Sequence, residues 1–183
     1  MKQKSKVYPL AMIAVMAAVM AVISPFALPI GPVPISLATF VVYLTAYILG
    51  WKRAAVATLV YILLGAVGMP VFSGFAGGLG KLLGPTGGYI VGYIPLALVS
   101  GLFIDRFPKN RVTQLLGMIL ATAVLYALGT AWFCYAMDST LAAALSACVI
   151  PFLPGDLGKM VVAMAVGPLL RSRLEQAGLS PEN

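Results

Sequence analysis

The chain has no histidine, and only five of its 183 residues are acidic. The first absence removes the commonest metal ligand and the usual general base near neutral pH. The second leaves no cluster of carboxylates for metal-assisted or paired acid–base chemistry, so a membrane-bound transferase or hydrolase lacks its reactive set. Cys134 and Cys148, the only two cysteines, lack CxxC spacing and sit in apolar runs. They read first as small buried hydrophobes, with a disulfide or thiol chemistry as the alternative. Charged residues make up just 9% of the chain, and no stretch is polar enough to form a separate soluble domain. Residues 1–183 are therefore read as one transmembrane unit, with tails at about 1–6 and 174–183.

Apolar sequence dominates instead. A hydrophobic fraction of 61% and a mean hydropathy of +1.01 describe an integral membrane protein. The net charge of +7 is no nucleic-acid signature, because the basic residues gather at segment ends and form no basic–aromatic face.

Six apolar runs approach the ~20 residues that cross a bilayer: about 7–24, 34–50, 53–69, 87–105, 112–136 and 153–171. The first follows three lysines in signal-peptide fashion, but it is long for that role and lacks a small-residue cleavage site. Lys2, Lys4, Lys6, Lys52, Arg53, Arg106, Lys109, Arg111, Arg171 and Arg173 fall at alternate segment ends, ten of the twelve basic residues. That bias predicts six helices with both termini cytoplasmic. It puts the glycine-rich loop 70–88, between helices three and four, on the outer side. Residues 139–150 are too short to span and are expected as an outer or re-entrant helix.

One ionisable pair stands inside the apolar sequence. Asp156 and Lys159 open the last segment in Pro154-Gly-Asp-Leu-Gly-Lys159. Intramembrane charges are costly and usually belong to a ligand or ion pathway, and residues three apart share a helix face. The pair reads as half of a polar ligand site. Helix capping by Asp156 and a plain ion pair are the structural alternatives. The charges at Asp105, Arg106, Lys109 and Arg111 read as a solvated cytoplasmic turn, and Asp138 as an outer loop end.

The loop itself runs Met69-Pro-Val-Phe-Ser-Gly-Phe-Ala-Gly-Gly-Leu-Gly-Lys-Leu-Leu-Gly-Pro-Thr-Gly-Gly-Tyr89. Glycine lets backbone approach a ligand, and Phe72, Phe75, Tyr89 and Tyr93 offer apolar walls. The competing reading is a turn into helix four, with Gly84, Gly88 and Gly92 forming a close-packing seam. A phosphate-binding loop is excluded at Gly80-Lys81, because Phe75 stands where its first glycine belongs and Leu82 where Ser or Thr should follow. In the first segment Ala14, Ala17, Ala18 and Ala21 form a stripe of small residues, with Met12, Met16 and Met20 nearly opposite. Such a stripe suits close helix packing, either within the chain or against another membrane subunit.

Gly84-Pro-Thr-Gly-Gly-Tyr89, Gly31-Pro-Val-Pro-Ile35 and Pro154-Gly-Asp-x-x-Lys159 together resemble the BioY family over about residues 8–173. BioY proteins are the biotin-binding membrane subunits, or S components, of energy-coupling-factor vitamin transporters. The resemblance implies a six-helix capture protein in the cell membrane that works with a transmembrane coupling protein and cytosolic ATPases. It implies biotin as ligand, no cofactor, and a coupling-protein contact through Ala14 and Ala18. Transport by the chain alone, as a self-associated oligomer, is also compatible. Carried over, the ligand set is Asp156 and Lys159 with Gly84, Pro85, Thr86, Gly87, Gly88 and Tyr89. Phe72, Phe75 and Tyr43 would cover the ring and valeryl chain, and Lys81 is a candidate for the carboxylate. Some members carry an amide near the position of Ala38, and alanine cannot supply those hydrogen bonds. Another vitamin on the same scaffold, and an assembly factor without ligand, are the remaining readings.

Overall fold

The computed structural model describes residues 7–29 and 33–177. Lys2, Lys4, Lys6 and the Gly31-Pro32 half of one motif lie outside them, as does most of the expected C-terminal tail. Helix α1 (Val7–Ile23) ends at Ser24-Pro25 and passes into a two-stranded hairpin, β1 (Ala27–Leu28) and β2 (Ile35–Ser36). The strands are antiparallel, with Ala27 opposite Ser36 and Leu28 opposite Ile35. The second segment, expected from residue 34, therefore begins in extended conformation. Pro34 has no N–H and disfavours helix at the residue before it. Helix α2 starts only at Ala38 and ends at Leu49.

At ~1.5 Å per residue, α2 is about 18 Å long and cannot span a bilayer core unaided. It is nevertheless the central helix. Val41, Val42, Tyr43, Ala46 and Tyr47 are all buried, because neighbouring helices cover every face. At Gly50, φ is +74°, a conformation that favours glycine, and the chain turns there into α3 (Trp51–Ala66).

The connection that follows is less irregular than the glycine content suggests. It contains a tight turn closed by Phe72 N–H to Ala76 O (2.9 Å), and a short helix α4 (Leu79–Leu83). Helix α5 (Gly87–Arg106) begins inside the Gly84–Tyr89 motif itself. Helix α6 (Arg111–Met137) is capped by Asn110, whose side chain accepts from Thr113 N–H. The expected short helix appears as α7 (Leu141–Cys148), capped by Thr140. A 3-10 turn at Ile150–Phe152 leads into α8 (Leu153–Gln176).

Glycines set the α5–α6 packing. A Cβ on Gly88 would stand 2.3 Å from Trp132 Cβ, and one on Gly92 would stand 2.7 Å from Leu125 Cδ1. On α6, a Cβ on Gly129 would meet the Tyr89 ring at 2.2 Å. The seam reading thus holds for Gly88 and Gly92. Gly84 instead precedes α5, and its carbonyl accepts Trp132 Nε1–H at 2.9 Å.

By length and composition, three stretches can cross a membrane: Gly87–Arg106, Arg111–Met137 and the run Leu141–Gln176. Helices α1 and α2 are shorter apolar helices. Leu116, Ile119, Leu120, Leu128, Val161 and Val162 point outward, as lipid-facing surfaces require.

The ends of the bundle differ in charge. Asp105 does not sit in a free solvated turn. It accepts Trp51 N–H at 3.0 Å and pairs with Arg171 at 3.2 Å, so it joins the start of α3 to the end of α8. The sequence reading of that turn is corrected for Asp105, because a carboxylate near an unsatisfied helix N-terminus is favourably placed. Asp138 is exposed and closes α6 in a left-handed conformation.

Candidate functional site

Helices α2 and α8 begin at the opposite, charge-poor end, and the hairpin brings Ser36 beside them. There the structure assembles Asp156, Lys159, Thr39, Ser36 and Tyr126. Asp156 is only 4% exposed. Its Oδ1 accepts from Lys159 Nζ at 2.8 Å and from Thr39 Oγ1 at 3.2 Å, and its Oδ2 accepts from Tyr126 OH at 2.5 Å. Lys159 Nζ also donates to Ser36 O at 2.7 Å and to Thr39 Oγ1 at 3.3 Å.

The ammonium thus has three acceptors, and both carboxylate oxygens have donors. Low dielectric strengthens these bonds and makes any loss of a partner costly. Capping does not account for Asp156: α8 begins three residues earlier and has no side-chain cap bond. The ion pair is real, but it is the centre of a wider network.

Next to the pair lies a cavity of about 40 Å³. Tyr89, Tyr93 and Leu125 wall one part of it, Val33 and Pro34 another, and Cys148 and Phe152 the remainder. Tyr89 and Tyr93 reach it together because four residues on a helix return to the same face. Tyr89 OH is held by Thr130 at 3.1 Å. The cavity is mostly apolar, with a few convergent polar groups, the usual composition of a small-molecule site.

Among the residues expected from the sequence, Asp156, Lys159, Tyr89 and Tyr93 meet at this cavity. The others do not line it. Tyr43 is fully buried, with its hydroxyl bonded to Thr122 at 2.5 Å. Phe72 packs edge-on against Tyr61 and occupies the space left open by Gly65. Phe75 is 60% exposed and touches Phe26. Lys81 lies on α4, outside the lining. Gly84, Pro85, Gly87 and Gly88 form the entry to α5, and a Cβ on Gly87 would collide with Leu82 O. Thr86 is buried, and its hydroxyl has no partner among the described residues.

Helix two does supply a polar group, one position beyond Ala38, through Thr39. Sequence reasoning missed Thr39, Ser36 and Tyr126. A hydroxyl in an apolar run was the only local sign, and nothing local pairs positions 39, 126 and 156.

The sequence profile of the BioY family matches residues 1–176. The chain belongs to the BioY family. It is 39% identical over 144 residues to a biotin transporter BioY of Thermotoga maritima, covering 79% of this chain and 84% of that one. A probable biotin transporter BioY of Pyrococcus horikoshii is 34% identical over 166 residues, covering 91% and 98%. Among solved structures, the S component for biotin from an ECF-type ABC transporter superposes with a TM-score of 0.85. It shares 26% identity and covers 94% of this chain and 95% of that one. The BioY assignment thus rests on sequence and fold over nearly the whole length. The first α1 alanine pair also has a place in this fold: Ala14 and Ala18 are exposed, whereas Ala17, Met16 and Met20 turn inward.

Proposed function

We propose that this chain captures biotin at the outer face of the cell membrane and takes it up as the substrate-binding subunit of an energy-coupling-factor transporter. The observation that carries the reading is the buried Asp156–Lys159 network beside an aromatic-walled cavity, in a chain of the BioY family. A ureido ring presents two N–H donors and a carbonyl acceptor. A carboxylate and an ammonium held together match that pattern with charge-assisted bonds. Asp156 takes the ureido N–H groups, and Lys159 takes the carbonyl or the carboxylate end. Tyr89 and Tyr93 cover the apolar body of the ligand. The unpartnered Thr86 hydroxyl lies three residues before Tyr89, at the N-cap of α5, and supports a role for the Gly84–Tyr89 segment at the other end.

Six spans with both termini cytoplasmic fit the basic residues that gather around α3, α5, α6 and α8 at the end away from Asp156. Energy comes from partners, the coupling protein docking on the Ala14–Ala18 face and the ATPases beneath it, and the chain is no enzyme. Binding of radiolabelled biotin, riboflavin and thiamine to the detergent-solubilised protein tests the reading. Saturable binding of biotin alone is expected, and retention of riboflavin or thiamine in its place would overturn the substrate.

A further inference from the structure

The cavity beside Asp156 is too small for the task just assigned to it. A water molecule needs ~10–15 Å³ on the same measure, so about 40 Å³ holds a few waters and no bicyclic ligand. Oδ1 of Asp156 already accepts from Lys159 and Thr39 and Oδ2 from Tyr126, so of a carboxylate's roughly four acceptor directions one is left for a ligand that brings two N–H groups. One residue is responsible for part of both restrictions. Tyr126 lines the cavity, and its hydroxyl holds Asp156 Oδ2.

Tyr126 also lines a second space, an apolar groove of about 270 Å³ between α6 and α8, at a face where Ile119 and Leu157 are exposed. Ala123, Leu153, Leu157 and Met160 line that groove, and Tyr126 and Asp156 belong to both spaces. The ring therefore borders both the cramped cavity that holds the Asp156–Lys159 pair and a roomier apolar groove. Ala123, one turn earlier on α6, is exposed and presents only a methyl group there.

We propose that Tyr126 is a displaceable stand-in for ligand. In the empty protein its hydroxyl satisfies the buried carboxylate, which would otherwise be short of a donor. When ligand enters, an N–H of the ligand replaces that hydroxyl on Oδ2. The ring turns toward Ala123 into the α6–α8 groove, and the cavity gains the volume it vacates. This inference rests on the reading of Asp156 as a ligand group. It adds that the empty and loaded proteins differ at α6, at a residue whose bond is broken rather than made by binding.

The test uses the full chain in detergent, with biotin as probe, and reads affinity together with melting temperature in the empty and loaded states. Tyr126→Phe removes the hydroxyl that competes with ligand. The empty protein should melt lower and the loaded protein should keep its melting temperature. Affinity should rise about ten- to a hundredfold, the range for losing one hydrogen bond to a charged group from the empty state alone. Ala123→Leu, at an exposed position, fills the space the ring must enter and should weaken binding several-fold while empty-state melting holds.

Weaker binding by Tyr126→Phe would make the hydroxyl a ligand contact. Equal melting losses in both states at unchanged affinity would make it purely structural. Unchanged affinity in Ala123→Leu would remove the ring movement. Any of these overturns the proposal. Failure of the underlying reading looks different: Asp156→Asn would then bind biotin as the unmodified protein does, or neither would bind it.

Discussion

Replacing Asp156 by asparagine is the most informative perturbation of the candidate site. The side chain is buried and accepts three hydrogen bonds, one of them from an ammonium at 2.8 Å. Asparagine keeps the shape but exchanges one acceptor oxygen for a donor and removes the charge. A hydrogen bond to a charged group contributes about 1.5–3 kcal/mol. Since ~1.4 kcal/mol is tenfold, biotin affinity should fall about ten- to over a hundredfold. The fold also suffers, because breaking a buried pair by removing one partner costs up to about 3–5 kcal/mol. The loss should lie toward the low end, since Lys159 keeps Ser36 O and Thr39 Oγ1 as acceptors.

Lys159→Met separates the two effects. It keeps most of the side chain's length and removes the cation, so binding should again weaken strongly. In the double variant Asp156→Asn, Lys159→Met no charge is left unpaired. Melting temperature should recover relative to the single variants while binding stays lost. Isothermal titration on the monodisperse fraction from size exclusion gives affinity per folded molecule. Unchanged affinity in both single variants would refute the argument, and the pair would return to a structural role. Affinity that recovers together with stability in the double variant would show that binding was lost only through unfolding.

Other expectations follow from the rest of the fold. Cysteine labelling in intact cells should place residues 52 and 109 inside and 73 and 138 outside; any other pattern means the helix count or orientation is wrong. Trp at position 14 or 18 projects from the exposed face of α1 and should prevent assembly with the coupling protein, measured by co-purification, while isolated biotin binding persists. Loss of binding with assembly intact would mean that this face packs within the chain. Gly129→Leu should lower the melting temperature and weaken biotin binding, because its side chain must displace the Tyr89 ring that walls the cavity. Overpacking of this kind costs about 1–3 kcal/mol, and an unchanged melting temperature would show that the α5–α6 seam opens freely.

What the sequence determined by itself is the part governed by solvent and by local chemistry. Lipid demands apolar runs of a certain length, so five of the six segments could be placed within a few residues of their helices. The run at 34–50 was misjudged only where Pro34 and its neighbours replace helix by hairpin. Burial of charge in such a chain is expensive, so Asp156 and Lys159 stood out without any knowledge of their surroundings. Glycine spacing revealed a seam at Gly88 and Gly92, because close approach of two helix backbones leaves a periodic trace on each.

Which side chains meet was decided only by the tertiary structure. Tyr126 and Thr39 reach Asp156 from 30 and 117 residues away, and no pattern along the chain encodes that convergence. Phe72 looked like a ligand wall from composition and Tyr43 from the family resemblance, yet aromatic rings serve a core as readily as a pocket. Tyr61 and Gly65 claim one of them, and Thr122 claims the other. Asp105 looked solvated from its charged neighbours, until the packing of α3 and α8 surrounded it with Trp51 and Arg171. Hydrophobicity and periodicity act on each segment separately, whereas a site is a set of contacts between segments, fixed by how the helices pack.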